Sequence, residues 1–286
     1  MLEVRNLRIA FRTGKGLSVP VRDVSFAIGD GERVALVGES GCGKTLTALS
    51  IGGLVEHAEI SGAIAGSPRV AYIFQNPMQA LNPVMKCGRQ IKEALVSKAN
   101  WCERVVSLLK DVALPSGTAD KYPCQLSGGQ QQRVMIAMAL ARDPELLIAD
   151  EPTTALDVTT QCEVLDLIER LANEKGNAVL FITHNLGLVS RYSRRVNVMY
   201  AGMIVESGTV EEVLRHPRHP YTKGLIASVP RLDLAKNAPL ADIPGVVPSP
   251  DAWPVGCAFH PRCSFAADEC KSADFKVCPQ MSISYK

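Results

Sequence analysis

The 286-residue sequence has no apolar run long enough to cross a bilayer. Its longest, near Val134–Ala141, falls far short of the ~18–20 residues that a spanning helix needs. The start, Met1-Leu-Glu-Val-Arg5, has no charged-then-apolar leader pattern. A charge excess is also missing. Lys plus Arg number 31 and Asp plus Glu 29, for a net +2, which argues against a long polyanion as the main ligand. Internal repeats and low-complexity runs are absent. What these absences leave is an ordinary soluble surface. A hydrophobic fraction of 47% can fill a substantial core, in one large domain or a domain plus an appendage.

Residues 2–37 read as strands. Val4 to Phe11, Val19 to Ile28 and Arg33 to Val37 are rich in apolar and β-branched residues, with Gly/Asp turns between them. Thr45 to Ile51 reads as a helix and Arg69 to Phe74 as a strand. From Asn76 to about Arg142 the period becomes helical. Ile91, Ala94 and Leu95 share one face, as do Val105, Leu108, Leu109 and Val112. Strand–helix alternation then resumes with Leu146–Ala149, a helix over Val158–Ala172, Val179–Thr183, a helix over Leu186–Tyr192, and Val196–Tyr200. Such alternation implies a largely parallel sheet with helices on both faces. After about Leu214, prolines cluster at 217, 220, 230, 239, 244, 248, 250, 254 and 261. They predict an extended tail ordered by local devices rather than by a core of its own. The expected division is a core domain over 1–215, with a helical subdomain inserted at about 77–142, and a C-terminal extension over 216–286.

Three motifs carry the chemistry. Gly38-Glu-Ser40-Gly41-Cys42-Gly43-Lys44-Thr45 matches G-x-x-x-x-G-K-[ST] in full, after an apolar strand and before a helix. The glycines let backbone N–H groups turn inward around phosphate oxygens. Lys44 brings a point charge to the β/γ-phosphates, Thr45 brings a hydroxyl for Mg²⁺, and the helix N-terminus adds its dipole. Asp150 ends the apolar strand Leu146–Ala149, where a carboxylate can hold Mg²⁺ through water. Glu151 follows at once and is suited to act as general base on an attacking water. Leu126-Ser127-Gly128-Gly129-Gln130 opens a strong helix. A serine cap and two glycines leave several N–H donors at its start, a second anion site. One loop already cradles one triphosphate, so this second site is expected to serve a nucleotide held by another subunit.

In this order the motifs resemble those of ATP-binding-cassette (ABC) ATPase subunits, over nearly the whole chain. The resemblance implies a P-loop α/β fold with a mostly parallel core sheet, an antiparallel β subdomain and an inserted α-helical subdomain. It gives further residues roles: Phe11 to stack on adenine, Gln75 to sense Mg²⁺ and the attacking water, Ala155-Leu156-Asp157 as the loop crossing a dimer interface, and His184 to contact the γ-phosphate. His184 alone would read as a structural histidine. The loop after Phe11, Arg12 to Ser18, looks longer than in many cassettes. The segments Arg218-His219-Pro220-Tyr221-Thr222-Lys223-Gly224-Leu225, Ile243-Pro244-Gly245 and Gly256-Cys257 through Arg262-Cys263 resemble the oligopeptide/dipeptide/nickel importer branch. Phe74-Gln75-Asn76-Pro77 with Leu81-Asn82-Pro83 looks like the same branch. This implies ATP and Mg²⁺ as cofactors and a head-to-tail pair of ATPase subunits, with self or a paralogue. It also implies two transmembrane permeases, an extracytoplasmic substrate-binding protein, no nucleic acid, and a peripheral place on the cytoplasmic face of the inner or plasma membrane. The rival class is a soluble ABC ATPase acting on DNA or ribosomes. It fits less well, because only about eighty residues separate the P-loop from the LSGGQ segment, too few for a long coiled coil, and there is one cassette.

Nine cysteines in a reducing compartment do not imply disulfides. Cys42, Cys87, Cys102, Cys124 and Cys162 are scattered, whereas Cys257, Cys263, Cys270 and Cys278 crowd the last thirty residues as C-x5-C-x6-C-x7-C. Four thiolates in a tail without a core suggest a metal or cluster staple. Zinc usually takes C-x2–4-C pairs, which are missing, and iron–sulfur sites also often use tighter spacing. The resembling branch includes members with a [4Fe–4S] cluster in this tail. A cluster, zinc and free thiols all stay open from the residues themselves.

Overall fold

The computed structural model describes residues 2–14, 16–66, 68–154, 157–229 and 242–272, with Cys278 and Met281. The elements in chain order are β1 (Leu2–Thr13), β2 (Gly16–Ile28), β3 (Arg33–Val37), α1 (Lys44–Ile51), β4 (Glu59–Ala65), β5 (Val70–Ile73), α2 (Pro77–Ala80), α3 (Cys87–Ala94), α4 (Trp101–Asp111) and α5 (Gly128–Leu140). They continue with β6 (Leu146–Asp150), α6 (Val158–Lys175), β7 (Ala178–Thr183), α7 (Leu186–Tyr192), β8 (Arg195–Tyr200), β9 (Met203–Thr209), α8 (Val210–Arg215) and α9 (Pro220–Ala227). No described helix is long and apolar enough to cross a membrane. The chain divides into two compact units.

One unit holds residues 28–33 and 66–182. Its strands run β7-β6-β5, all parallel, with Leu146 to Asp150 in register with Ala178 to Ile182. Every residue of β6 is buried, as continuous apolar strands of covered parallel sheets are. The helices α2 to α5 form the segment with helical period. Val105, Leu108, Leu109 and Val112 are all buried, as are Ile91 and Leu95, so the expected apolar faces are the packed ones. Gly88 allows α3 close against residues 116–120, because a Cβ there would lie 2.8 Å from that of Ala119.

The other unit holds residues 3–27, 34–65 and 183–286. Its strands run β4-β1-β2-β9-β8-β3. β3 pairs with β8 in parallel, while β8 and β9 are antiparallel. The β8–β9 turn is Ala201-Gly202 at φ 48 and 76, the doubly left-handed geometry that matches strand twist. The chain between Phe11 and Ser18 is not the long loop the sequence suggests. β1 runs to Thr13 and β2 starts at Gly16, and the Thr13 hydroxyl donates to the Gly16 carbonyl at 2.9 Å. Polar residues in both arms hid the hairpin.

The tail borrows a core. Tyr221 on α9, Ile243, Ala258 and Phe259 are buried with Ala35, Val37, Val198 and Tyr200 of β3 and β8. Tyr200, Tyr221 and Phe259 form an aromatic trio, with centroids 4.6 to 5.4 Å apart. The prolines therefore include a helix start: Pro220 sits in the first turn of α9, and His219 caps it by accepting the Tyr221 N–H on Nδ1 at 3.1 Å. Burial pushes the His219 imidazole down to about 4. An unfolded histidine near 6.5 takes up a proton that the folded one refuses, so stability drops as pH falls through this window. The expected loss between pH ~6.5 and ~4 is roughly 3 kcal/mol. His219→Asn, which can still cap, should flatten that part of the pH–stability curve in urea melts. An unchanged slope would refute it.

Candidate active site

The phosphate-binding loop leaves β3, whose five residues are all buried. Gly38, Gly41 and Gly43 take φ of 153, 80 and 102. A Cβ on Gly38 would overlap the Met199 carbonyl oxygen of β8, and one on Gly43 would lie 2.9 Å from the Pro20 oxygen. Two of the three glycines thus answer close backbone approach as well as conformation. Lys44 is buried, and its Nζ donates to the Gly38 and Glu39 carbonyls at 2.8 and 2.9 Å. That holds a cation over the loop. Ser40 and Thr45 are exposed, while Cys42 is buried, which pushes its thiol pKa up. The N-cap of α1 is Gly43, which has no side chain to offer the helix's first N–H groups.

In the other unit, Asp150 and Glu151 close β6. Asp150 is buried and its Oδ2 accepts the Tyr72 hydroxyl at 3.0 Å. Burial and the Asp150 charge push that phenol far above its usual range. Glu151 adopts φ 43, an uncommon value for a residue with a Cβ. Its N–H donates to the Ile182 carbonyl at 2.9 Å. Its Oε2 accepts from Gln75 Nε2 at 3.2 Å and Thr154 Oγ1 at 2.9 Å. The two residues proposed from distant sequence positions therefore meet. Within this unit, Asp150 and Gln75 offer hard oxygen donors, the ligand type that suits Mg²⁺. Tyr72 and Thr154 were missed because an aromatic in a strand and a threonine in a turn carry no motif signal.

Ser127 and Gln130 of the LSGGQ segment form a reciprocal capping box. Ser127 Oγ accepts the Gln130 N–H at 3.3 Å, and Gln130 Oε1 accepts the Ser127 N–H at 3.1 Å. Gly128 is exposed, and a Cβ on Gly129 would meet the Thr160 methyl at 3.0 Å. Asp157 caps α6, accepting the Thr160 N–H at 3.0 Å and its hydroxyl at 2.7 Å, which lowers the Asp157 pKa. Ala155 and Leu156 lie outside the described residues. His184 is exposed just after β7, and Phe11 is half-buried on β1.

The four C-terminal cysteines are all free thiols. The Cys257 N–H donates to the Cys270 carbonyl at 2.9 Å. Gly256 permits this, because a Cβ there would overlap that same carbonyl. Burial first, and then the charges of the neighbouring cysteines, raise the Cys257 and Cys263 thiols. All four therefore share one patch. Among the described residues, however, no three Cys, His, Asp or Glu side chains close to a metal-holding arrangement. Beside the patch, Arg22 is half-buried, its guanidinium carbon 5.7 Å over the Trp253 ring and within charge range of Cys257, with no hydrogen-bond partner for Nη1 among the described residues.

A strand ending in a glycine loop with a buried lysine, and a second strand ending in Asp-Glu, define a P-loop nucleoside triphosphatase. Residues 21–154 match the ABC transporter family, and 205–270 match the oligopeptide/dipeptide transporter C-terminal region. A peptide import ATP-binding protein of Brucella ovis is 46% identical, covering 96% of this chain and 92% of that one. Another from Brucella abortus is 43% identical, covering 99% and 92%. Among solved structures, the ATP-binding cassette MJ0796, dimeric and bound to ADP and Pi, superposes with a TM-score of 0.65 at 27% identity, covering 73% of this chain and 99% of that one. The cbiO1 protein of Clostridium perfringens, part of the cbiONQ transporter complex, gives 0.65 at 26%, covering 75% and 90%. The chain belongs to the ABC transporter family and is an ATPase of it. Nothing in these matches supports the DNA or ribosome alternative.

Proposed function

We propose that the chain powers peptide import, hydrolysing ATP as one half of a head-to-tail ATPase pair beneath separate transmembrane permeases. The observation that carries this is 46% identity, across almost the full length, to a peptide import ATP-binding protein. The oligopeptide/dipeptide C-terminal region supports it independently. Lys44 and the start of α1 offset phosphate charge, and Thr45, Asp150 and Gln75 would hold Mg²⁺, which neutralises charge on the β/γ oxygens when bound. Glu151 takes the proton of the attacking water, Gln75 orients that water, and His184 contacts the γ-phosphate. Phe11 faces the adenine. Ser127, Gly128, Gly129, Gln130 and Asp157 act across the subunit interface, on a nucleotide held by a self or paralogue partner. A substrate-binding protein outside the cell delivers the cargo, and the chain sits peripherally on the cytoplasmic face.

Deleting the gene should abolish uptake of labelled di- and oligopeptides, with return on complementation. Retained peptide uptake with loss of nickel or metal-chelate uptake would overturn the peptide assignment. The four-thiol patch is proposed to hold a [4Fe–4S] cluster on Cys257, Cys263, Cys270 and Cys278, supported by soft donors beside the half-buried Arg22. Anaerobically purified protein should contain about four iron and four sulfide per chain, and Cys263→Ser should lower both. Stoichiometric zinc, or no metal, would refute the cluster.

A further inference from the structure

Glu39 occupies a position that the phosphate-loop motif leaves open, yet the C-terminal segment grips it at two points. Its carboxylate receives a bidentate pair from Arg262, Nη1 to Oε2 at 2.7 Å and Nη2 to Oε1 at 3.0 Å. Its backbone N–H donates to the Tyr221 hydroxyl at 2.8 Å. Its own carbonyl is one of the two that hold Lys44 Nζ. Arg262 has little freedom of its own. Nε donates to the Pro244 carbonyl at 2.8 Å, Nη2 to the Ile243 carbonyl at 3.2 Å and Nη1 to the Tyr200 hydroxyl at 3.4 Å. It is buried, with the Tyr200 and Phe259 rings 5.8 and 5.9 Å away. Every element of this chain of contacts lies in one compact unit.

We propose that Arg262 and Tyr221 are positioning residues of the ATP site, setting the phosphate-binding loop and Lys44 through Glu39. A bidentate fork on a carboxylate fixes direction as well as distance, which the single ammonium of Arg262→Lys would not. The loop's turn is then specified from outside itself by a segment 223 residues away in sequence. Arg262 is followed directly by Cys263, so the grip hangs from the same turn as the four-cysteine patch.

The inference rests on Gly38–Thr45 being the triphosphate cradle, which Lys44→Ala tests in parallel. The measurement is MgATP affinity by equilibrium binding and the split of kcat from KM, on full-length protein with its fold checked by circular dichroism. Arg262→Gln and Glu39→Gln are each expected to raise the Kd for MgATP by about ten- to a hundredfold, since a partly buried, bidentate charge-assisted pair is lost. The double variant should be no worse than the weaker single, because both remove one interaction. Tyr221→Phe keeps the ring in its aromatic trio and removes only the hydroxyl. It should raise Kd several-fold, so the idea stays testable if Arg262→Gln fails to fold. Arg262→Lys should not restore the wild-type Kd. A folded Arg262→Gln or Tyr221→Phe binding MgATP within twofold of wild type overturns the proposal. So do single effects that multiply in the double variant. If Lys44→Ala also binds as wild type, it is the cradle assignment that fails.

Discussion

Glu151→Gln is expected to bind MgATP with wild-type affinity and to lose about a thousandfold in turnover, the size of a general-base contribution. The substitution keeps shape and removes charge. Glu151 is held at φ 43 with its N–H on the Ile182 carbonyl and its carboxylate between the Gln75 amide and the Thr154 hydroxyl. A glutamine can accept one of those donors, so the loop's geometry should survive. What it cannot do is take a proton from water. The uncommon φ matters here, because strain at this position is sustained only where the surroundings over-determine it. Burst and single-turnover hydrolysis, with binding measured separately, distinguish the outcomes. On the proposed two-subunit reading, MgATP should also trap the variant as a dimer in size exclusion. Wild-type turnover would remove Glu151 from the role of base.

What could be read from sequence divides along the line between local and distant pattern. β3 and β6 were legible because each is a short apolar run closed by a glycine or by acids, and α1 because it follows the glycine loop directly. α7 matched to the residue, since Asn185 caps it through its side chain and its apolar face is regular. β4 was invisible: all but one of its residues are exposed, and Gly62 at φ 95 sits where a Cβ would overlap the Asn6 carbonyl. An edge strand defined by pairing with β1 and not by burial carries no apolar period. β9 was passed over because Ala-Gly is a weaker hairpin signal than Asn-Gly. α9 was lost among prolines that read as breakers, although Pro220 at a helix start is a favoured use of the residue. Within the site, Gln75 and Glu151 were each recognisable, but not their contact. Glu39 and Arg262 each lay inside a recognisable segment, but their pairing carried no signal, for it follows from where a tail returns in space.

The second large effect concerns Gly38. Gly38→Ala should lower the melting temperature by about 8–15 °C, whereas Gly41→Ala should cost only a few degrees. Both glycines have positive φ, 153 and 80, so both substitutions meet conformational strain of about 1 kcal/mol or more. Their surroundings decide the difference. Around Gly41 nothing among the described residues lies within 4 Å of an added Cβ, so strain is the expected penalty. At Gly38 the Cβ would overlap the Met199 carbonyl oxygen and reach 2.9 Å from Cys42 Sγ. The oxygen belongs to β8, which is hydrogen-bonded into β3 on one side and β9 on the other, so it cannot swing away as a side-chain tip would. Relief must come from the phosphate loop itself, moving the Gly38 carbonyl on which Lys44 Nζ rests. MgATP binding should therefore fall together with stability in Gly38→Ala, by about a hundredfold in Kd. If Gly38→Ala melts within two or three degrees of wild type and binds MgATP normally, the close approach of β3's exit to β8 is not what requires glycine there.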